Sequence, residues 1–570
     1  MWMANVISAI RRLMPVCMLL ALTVAYSPGL AQQIPGPAEP GRRPAPPPEL
    51  PEKPVELEWI TVVPGGVEVP PRLAGENIRF NDLIVEGLTV YAHEDLAGIY
   101  ESSKGKTITF GDLYGFARAI QKRYQDDGYL LSFTFIPPQR VKDGIYKITV
   151  VEGYVSRVVV EGPEGWLKDT VEGMLAGITE SRPLRSSALE RHLLLVNDLK
   201  GISARGVLRP AAEGRGASEL YVKVDYKLYD FSTKVDNRGS KYTGTMMGTI
   251  SAGLNSMLGL GEHLSVTSKV STSDPRELKS IDLTYGMPLG DRGLNVTIAG
   301  GFSYSIPGFT LRDLSVRTNT AYGEFDLSYP FIRTREETLT GSLGYTHRDT
   351  TVEMLGERFS RDRLRMGRAA MGYTNRGFLG GVTALNLDMT QGLPVFDATD
   401  PDAGTMSRAD AKTSFTKFGL SFAHARQLFY GVGVLLSATA QYSMDPLPSS
   451  EEYTVGGASF GRPYDEGEIS GEHGAAVSIE LSRVFRFENP YISSVRPYWF
   501  YDFGVAWDDQ TESSAGGRSS LASSGFGVSA DFIYGLKMSA EFARPLTRVP
   551  VTTSKLHDGD RYSFSLGVDF

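Results

Sequence analysis

The sequence has a single cysteine, and it has no apolar run as long as a transmembrane helix requires. A spanning helix needs about 20 predominantly apolar residues. Cys17 lies within the first 31 residues, which predict a removable signal peptide, so neither a thiol nor a disulfide is expected in the exported chain. Only helices and closed β-barrels pair all their backbone groups inside a bilayer. An exported chain of this composition can therefore span a membrane only as a β-barrel.

Histidine pairs and an excess of basic residues are also lacking. The 7 histidines are scattered without an HExxH pair, which gives no support for a metal site. The formal net charge is -8, so the chain lacks the basic field that binding to nucleic acid requires. We therefore predict no metal, no cofactor and no nucleic-acid partner.

The amino-terminal region predicts export followed by a tether. Arg11 and Arg12 precede the apolar run LMPVCMLLALTVAY, and Gly29 and Ala31 supply the small residues of a cleavage site. Residues 1–31 are thus the predicted signal peptide. Residues 32–76 contain PGPAEPGRRPAPPPELPEKP, whose many prolines lack the backbone donors of a helix or sheet, so this segment is predicted to be an extended linker.

Two mixed units of similar element order follow. Residues 77–153 read as β-α-α-β-β, with Thr109 placed to cap a helix. The apolar residues of that helix share one face at helical spacing, and they are Leu113, Phe116, Ala117, Ile120 and Tyr124. Residues 154–228 repeat the same order, with strands at YVSRVVVEG, ISARGVLRP and SELYVKVDYKL. The tandem arrangement predicts two small α+β domains.

Residues 229–570 are rich in Gly, Ser, Thr and aromatic residues and alternate repeatedly between apolar and polar positions. Membrane strands need ~9 to 11 residues, and at ~20 residues per strand with its loop this region holds about 16 strands. The last segment, YSFSLGVDF, places Tyr562 and Phe570 on its apolar face. We predict a transmembrane antiparallel β-barrel in which this segment pairs with the first strand, so that no edge remains open.

One long loop is predicted to fold into the barrel. The stretch VGGASFGRPYDEGEISGEHG, around residues 455–474, is too rich in glycine and charge for a membrane strand. In the later stretch RPYWFYDFGVAWD, alternation directs Asp502 toward the lumen, where a carboxylate requires water or a cation. Arg462 is the predicted partner, through two parallel hydrogen bonds, and the inward Glu480 is a second candidate. The alternative is a solvated loop arginine that never meets this acid.

Three patterns resemble enzyme or metal sites. Residues 457–461 match G-x-S-x-G around Ser459, but neither neighbour has the helical pattern that a nucleophile elbow needs. Residues 105–107 resemble the end of a phosphate loop, with the preceding glycine at the wrong spacing. Three aspartates could hold Ca²⁺ in an outer loop, although the full ligand pattern is missing and a solvated acidic loop is the simpler interpretation; they are Asp397, Asp400 and Asp402. We predict no enzyme activity.

Over roughly residues 77–570 the chain resembles the outer-membrane transporters of two-partner secretion, the haemolysin secretion/activation family. The resemblance is carried by RFNDLIVEGLTVY, GYLLSFTFIPPQRVKDGIYKITVVEGYVSRVVVEG, LLLVNDLKGISARGVLRP, KVDNRGSKYTG, the pair FGRPY and FYDFG, and the terminal Phe570. It implies that the mixed units are periplasmic polypeptide-transport-associated (POTRA) domains. It also implies that the loop residue Arg462 contacts Asp502 in the lumen. We predict that the pore loop gates the barrel and that the residues involved are Arg462, Tyr464, Asp502 and Glu480. Gly461 and Pro463 depart from the family's loop pattern, and no amphipathic plug helix precedes the first domain.

The resemblance implies a protein of the outer membrane that contacts its lipids and exports one large secreted exoprotein of haemolysin or adhesin type. It further implies that the barrel assembly machinery reads the Tyr562 to Phe570 segment as an assembly signal. Three alternatives remain open at this point: an insertase of the same superfamily, an outer-membrane esterase centred on Ser459, and a diffusion porin, which would leave two periplasmic domains unexplained.

Overall fold

The computed structural model describes residues 69–212, 214–400, 404–509, 517–553 and 559–570. The predicted signal peptide and residues 32–68 of the predicted proline-rich linker, where a plug helix would also fall, lie outside these residues. The described chain forms two small mixed domains followed by a closed barrel.

The first mixed domain packs two helices against a three-stranded sheet of order β2-β5-β4, beside a separate pair formed by β1 and β3. Thr109 caps α2: its hydroxyl accepts the N–H of Asp112, whose carboxylate accepts the N–H of Thr109. The elements are β1 (Asn77–Phe80), β2 (Asp82–Glu86), α1 (His93–Ala97), β3 (Lys106–Thr109), α2 (Phe110–Asp126), β4 (Phe133–Phe135) and β5 (Ile145–Val151).

The segment IRFNDLIVEGLTV has the sequence pattern of one strand. In the structure it forms two strands, β1 and β2, separated by Asn81. The chain changes partners at Asn81, whose N–H donates to the carbonyl of Gly144 and whose side chain donates to the carbonyl of Asp143. The residues before Asn81 therefore pair with β3, and those after it pair with β5.

The second mixed domain has a sheet of order β6-β8-β7 covered by two helices. Its elements are β6 (Tyr154–Glu161), α3 (Trp166–Ala176), α4 (Ser186–Asn197), β7 (Ile202–Pro210) and β8 (Ala217–Tyr226). The apolar faces of both helices and the inner face of the sheet form one core that includes Val171, Leu193 and Val222. None of the helices in the described part of the chain is long and apolar enough to cross a membrane.

The barrel has 16 antiparallel strands and is closed, as the sequence predicts. Its strands are β9 (Tyr229–Asp236), β10 (Met247–Asn255), β11 (His263–Ser271), β12 (Lys279–Leu289), β13 (Leu294–Ser305), β14 (Arg317–Arg333), β15 (Glu337–Met354), β16 (Glu357–Asn375), β17 (Val382–Gly392), β18 (Thr416–Gln427), β19 (Val432–Ser443), β22 (His473–Arg483) with its continuation β23 (Phe485–Arg486), β24 (Ile492–Asp508), β25 (Gly517–Phe532), β26 (Leu536–Pro545) and β27 (Arg561–Asp569). The short strands β20 (Tyr453–Val455) and β21 (Ile469–Gly471) pair with each other in the loop between β19 and β22.

The closing seam joins β27 to β9 in five paired positions, from Ser565 opposite Asp236 to Asp569 opposite Ser232. Phe570 continues the ladder by exchanging backbone hydrogen bonds with Phe231. The apolar face of β27 is exposed on the outside of the barrel, whereas Ser563 is buried inside it. This is the arrangement that the alternation in YSFSLGVDF predicts.

Several strands are longer than the ~9 to 11 residues that cross a bilayer. β14, β15 and β16 contain 17, 18 and 19 residues. The two mixed domains lie at one end of the barrel, because β8 leads directly into β9. We call this the domain end and the opposite end the far end.

The second mixed domain is docked onto the turns at the domain end. In α4, the Arg191 guanidinium donates to the carbonyl of Pro330 at 2.9 Å, and Asp198 just beyond it forms an ion pair with Arg333. Near the start of α3, the Thr170 hydroxyl donates to the carbonyl of Gly259 at 2.8 Å. Two helices thus contact different barrel turns, which fixes the orientation of this domain.

Candidate functional site

The loop between β20 and β21, residues 456–468, lies inside the barrel near the far end. An apolar cluster anchors it: Phe460 and Tyr464 of the loop are buried against inward-facing barrel residues. The other members of the cluster are Tyr453, Val455, Ile469, Ala476, Ala506 and Leu521. Gly461 has a φ of +84°, and a methyl group there would lie 2.7 Å from the side chain of Leu521, so this tight turn requires glycine.

Asp502, on β24, is fully buried and binds the main chain of the loop. Its Oδ2 accepts the backbone N–H groups of Gly461 at 3.1 Å and of Arg462 at 3.3 Å. The hydroxyls of Ser478 and Ser523, on the two neighbouring strands, donate to the same carboxylate at 2.7 and 3.3 Å. Four donors therefore satisfy this buried charge and fix the position of the loop.

The Arg462 side chain lies beside Asp502, but the predicted pair of parallel hydrogen bonds is not formed. Its Nε is 3.6 Å from Asp502 Oδ2, which is an ion-pair distance too long for a hydrogen bond. The terminal nitrogens donate instead to Glu480 at 3.2 Å and to Glu541 at 3.1 Å. The backbone turn at Gly461 is the reason, because it directs the N–H groups toward Asp502 and the guanidinium past it.

An aromatic ring completes the contacts of this guanidinium, whose carbon lies 3.8 Å from the centre of the Phe500 ring. A cation over an aromatic face is attracted by the ring quadrupole. Phe500 is itself fully buried, and the ring and the three carboxylates leave only 11% of the Arg462 side chain exposed.

Two further arginines extend this network. Arg238, in the loop after β9, forms an ion pair with Glu541 at 3.0 Å, and Arg496 forms one with Glu480 at 2.6 Å. The Tyr498 hydroxyl also donates to Glu541 at 2.9 Å. We call the six charged residues the lumen cluster; they are Arg238, Arg462, Arg496, Glu480, Asp502 and Glu541. Three cations balance three anions, which offsets the cost of burying the three carboxylates; Arg238 and Arg496 themselves stay partly exposed.

Tyr464, which the sequence groups with Arg462, is fully buried and anchors the same loop at a different place. Its hydroxyl lies 3.2 Å from the carbonyl of Ala522 and 3.1 Å from that of Arg548, and it accepts the N–H of Arg548 at 3.3 Å. Arg548 belongs to the loop between β26 and β27. Next to Tyr464, the Asp465 carboxylate accepts from Arg561 of β27 at 3.1 Å.

Of the four predicted loop and lumen residues, the structure brings Arg462, Asp502 and Glu480 into one network and places Tyr464 in a separate contact. Sequence reasoning missed Glu541, Arg238 and Arg496. A signal for Glu541 exists: it alternates with the apolar residues of β26 and therefore faces inward. The register of the strands, which the sequence does not supply, then places Glu541 opposite Gly527 and level with Tyr498 of β24.

A second charged group lies between the loops at the far end. Arg408, in the loop between β17 and β18, is buried and pairs with Glu452 at 2.9 Å and Glu472 at 3.0 Å. Nearby, the buried Glu451 carboxylate pairs with Arg348 at 2.6 Å and Lys417 at 2.8 Å. These contacts hold the outer parts of the loops together above the lumen cluster.

The enzyme-like and metal-like patterns fall in unrelated places. Within the described residues, the chain after Ser459 reaches β21 without forming a helix. Lys106 and Thr107 belong to β3 and pair with β1. Asp397 accepts a hydrogen bond from Arg363, and Asp402 lies outside the described residues. In the described chain, no group of three or more His, Cys, Asp or Glu residues is placed to hold a metal ion.

The two predicted assembly-signal residues lie at the two ends of β27. Tyr562 is exposed on the outside of the barrel and its ring packs on that of Phe542. Phe570 is also exposed, and its ring packs on that of Phe231 across the seam. Both positions are compatible with lipid contact, and their role in assembly stays a prediction.

Comparison with known proteins agrees with this architecture. Residues 216–530 match the family described as haemolysin secretion/activation protein ShlB/FhaC/HecB, and residues 78–153 match the ShlB-type POTRA domain. The chain is 21% identical over 482 residues to the heme/hemopexin transporter protein HuxB of Haemophilus influenzae, with 83% of each chain covered. It is 26% identical over 501 residues to the outer membrane transporter CdiB of Escherichia coli, covering 84% of this chain and 80% of that protein.

Among solved structures, CdiB from Escherichia coli has a similar fold, with a TM-score of 0.73 at 23% identity; the match covers 90% of this chain and 94% of that one. Proteins of the matching family are outer-membrane transporters of two-partner secretion, and their POTRA domains lie in the periplasm. The domain end of the barrel is therefore periplasmic and the far end extracellular. Because the family match spans more than half of the sequence, the chain belongs to the haemolysin secretion/activation family of outer-membrane transporters.

Proposed function

We propose that this protein exports one large partner exoprotein through its barrel, and that loop 456–468 is the constriction that must move. The observation that carries the proposal is the burial of this loop inside the barrel, with Arg462 bound to carboxylates on three different strands. A loop that merely covered the extracellular end would not need buried charges to hold it in the lumen.

The contacts suggest how the loop opens as a unit. Glu480, Asp502 and Glu541 lie on β22, β24 and β26, so withdrawal of Arg462 breaks contacts to all three strands together. Removing one partner from a buried ion network costs about 3–5 kcal/mol, because the remaining charges lose their compensation. An arriving polypeptide would have to supply interactions of this size, which keeps the pore closed in its absence.

The two periplasmic domains are the first contact for the client. Each contains a small three-stranded sheet, and an extended chain can add to an edge strand of such a sheet through backbone hydrogen bonds. This ordering requires no nucleotide. Folding of the client outside the cell then opposes its return, so export is driven without an energy source at the membrane.

We propose that the loop containing Ser459 serves transport and has no catalytic role. This serine lies in the irregular part of the loop, and its motif glycines serve the turn that presents Arg462. Purified protein is expected to show no ester hydrolysis that depends on Ser459; hydrolysis lost in Ser459→Ala would contradict this.

The role of the loop is tested by Arg462→Ala, with Arg483→Ala as the matched control, since Arg483 is an exposed arginine at the periplasmic end of β22. We expect Arg462→Ala to abolish secretion of the partner exoprotein while the barrel still inserts and stays heat-modifiable in electrophoresis. Arg483→Ala should secrete normally. Normal secretion by Arg462→Ala would overturn the gating role.

The insertase alternative predicts a different cellular defect. Deletion of the gene should deplete one exoprotein from the medium and leave the other outer-membrane proteins at normal levels. Broad loss of outer-membrane proteins would instead support insertion as the function. An adjacent reading frame for a very large exported protein would identify the client directly.

A further inference from the structure

The barrel's lipid-facing surface continues past its periplasmic rim onto the second POTRA domain. The outward face of the barrel ends there with the exposed side chains of Tyr229, Leu254 and Phe570. Immediately beyond them lies a group of exposed apolar side chains that we call the rim patch, formed by Trp166, Tyr226, Leu228, Met257 and Leu258. These residues line one shallow groove between α3 and the turn joining β10 to β11.

Trp166 is the most prominent member of the rim patch. It is the first residue of α3, yet 71% of its surface is exposed, although the helices of this domain otherwise bury their large apolar side chains. Met257 in the adjacent turn is 66% exposed. Exposed large apolar side chains that form a contiguous group mark a surface that contacts a partner or a membrane.

Hydrogen bonds and packing fix the backbone conformation of the turn that carries Met257 and Leu258. The buried Glu262 carboxylate accepts the N–H groups of Leu258 at 2.5 Å and Leu260 at 3.0 Å. Gly259 has a φ of +75°, and a methyl group on it would lie 2.7 Å from Trp166 Cβ. The backbone of the turn therefore packs directly on the start of α3 and fixes both apolar elements beside the barrel rim.

Two other turns at the periplasmic end also expose large side chains. The turns at Phe429–Gly431 and Ile533–Gly535 each have a tyrosine at their tip with positive φ, and these tyrosines, Tyr430 and Tyr534, are 84% and 83% exposed. A bulky residue is strained in this conformation. Aromatic residues are enriched where a membrane protein meets the headgroup layer. Trp166 lies against the periplasmic turn at Gly259, beside Met257 and Leu258.

We propose that the rim patch is seated in the periplasmic leaflet of the outer membrane, with Trp166 in its headgroup layer, so that phospholipid holds α3 against the membrane. The patch is continuous with the lipid-facing surface of the barrel, and an indole ring suits an interface that is apolar on one side and wet on the other. The POTRA domain is then held on two sides: α4 by its ion pair and hydrogen bonds to the barrel turns, and α3 by lipid. This inference does not depend on the export function.

The test measures the depth of Trp166 in vesicles of phosphatidylcholine brominated either near the headgroup or near the chain ends. The full chain carries Trp166 as its single tryptophan, with the other tryptophans changed to phenylalanine; they are Trp2, Trp59, Trp499 and Trp507. We expect Trp166 to lose most of its fluorescence to the shallow bromines and less to the deep ones. Two reference variants lack all five native tryptophans and carry one new tryptophan each. Tyr430→Trp gives the quenching expected at the membrane rim, and Arg118→Trp, on the exposed face of α2, gives the quenching expected in water.

Quenching of Trp166 like that of Tyr430→Trp supports the proposal. Bromine quenching of Trp166 like that of Arg118→Trp, together with full quenching of Trp166 by aqueous iodide, overturns the proposal. The rim patch would then be a candidate surface for a polypeptide partner. A second measurement avoids the multiple substitutions: in the otherwise native chain, Trp166→Phe should reduce quenching by shallow bromines. Equal quenching of the native chain and Trp166→Phe would also overturn the proposal.

Discussion

The Asp502 carboxylate holds the backbone of Arg462, whereas the Arg462 guanidinium reaches past it to Glu480 and Glu541. One residue of the loop is thus held twice, once through its main chain and once through its side chain. The two attachments respond differently to mutation, because a neutral acceptor can replace a carboxylate that binds N–H groups but cannot replace one that balances a guanidinium.

This difference predicts unequal effects of two substitutions at Asp502. Asn retains an oxygen that accepts the N–H groups of Gly461 and Arg462, so Asp502→Asn, which loses only the ion pair with Arg462, should displace the loop less than a substitution that also removes this acceptor. Asp502→Ala removes every acceptor, and each buried N–H left unpaired costs about 1–3 kcal/mol. We expect Asp502→Ala to raise the single-channel conductance in planar bilayers well above that of Asp502→Asn. Equal conductances would contradict a backbone-binding role.

Tyr464 should control the mobility of a second extracellular loop. Its hydroxyl is hydrogen-bonded to the backbone of Ala522 and Arg548, so Tyr464→Phe should weaken this attachment by about 0.5–1.5 kcal/mol. Trypsin added to intact cells should then cleave after Arg548 faster than in the native protein. Tyr562→Phe, which changes an exposed tyrosine outside the barrel, serves as the control and should leave the cleavage rate unchanged.

The first POTRA domain should lose stability in acid through Glu152. Burial raises the pKa of this carboxyl, but hydrogen bonds from the Thr89 hydroxyl and N–H, the Tyr124 hydroxyl and the Val90 N–H lower it by more, so the pKa lies below its ordinary value of 4.5. A group with a lowered pKa in the folded state contributes stability above its ordinary pKa and loses it as the pH falls through the folded value.

Hydrogen exchange of residues 89–124 in the full chain measures this effect. Protection should fall below about pH 4.5 in the native protein relative to its value at neutral pH. In Glu152→Gln the protection should already be lower at neutral pH and should change little in acid, after correction for the intrinsic pH dependence of exchange. Parallel acid profiles of the two proteins would exclude Glu152 as the cause.

The seam between β9 and β27 should stay closed during export through the lumen. Thr233 and Val568 are paired across this seam and both face outward. Because the only native cysteine is Cys17 in the predicted signal peptide, Thr233→Cys with Val568→Cys gives a defined disulfide. Secretion should be the same with this disulfide oxidised or reduced. Secretion that stops on oxidation and returns on reduction would show that the barrel opens sideways, as an insertase would require.

The sequence predicts the barrel well because side-chain alternation is a local property of each strand. It places Asp502, Glu480 and Glu541 on inward positions without knowledge of any neighbour. It cannot predict which of these acids meets Arg462, because that depends on the path of a loop with irregular φ values such as that of Gly461. The prediction of two parallel hydrogen bonds between Arg462 and Asp502 is wrong for this reason. The inward fold of the loop is predicted only from its composition.

The first POTRA domain shows the same division between local and distant information. The cap at Thr109 and the buried face of α2 follow from residues a few positions apart, and the structure contains both. The change of partners at Asn81 depends on Gly144, which is 63 positions away, so no local pattern indicates it. The contact of Arg238 with Glu541 spans 303 positions and was missed for the same reason.

The charge balance of the lumen cluster has a consequence for ion selectivity. If the loop withdraws during export, as we propose, Arg462 leaves the wall and Arg238 and Arg496 remain with three carboxylates. The channel would then carry one uncompensated negative charge at the level of β22, β24 and β26. We therefore expect the proposed conducting state to favour cations over chloride, and basic stretches of a translocating chain would gain attraction at the very step that displaces the arginine.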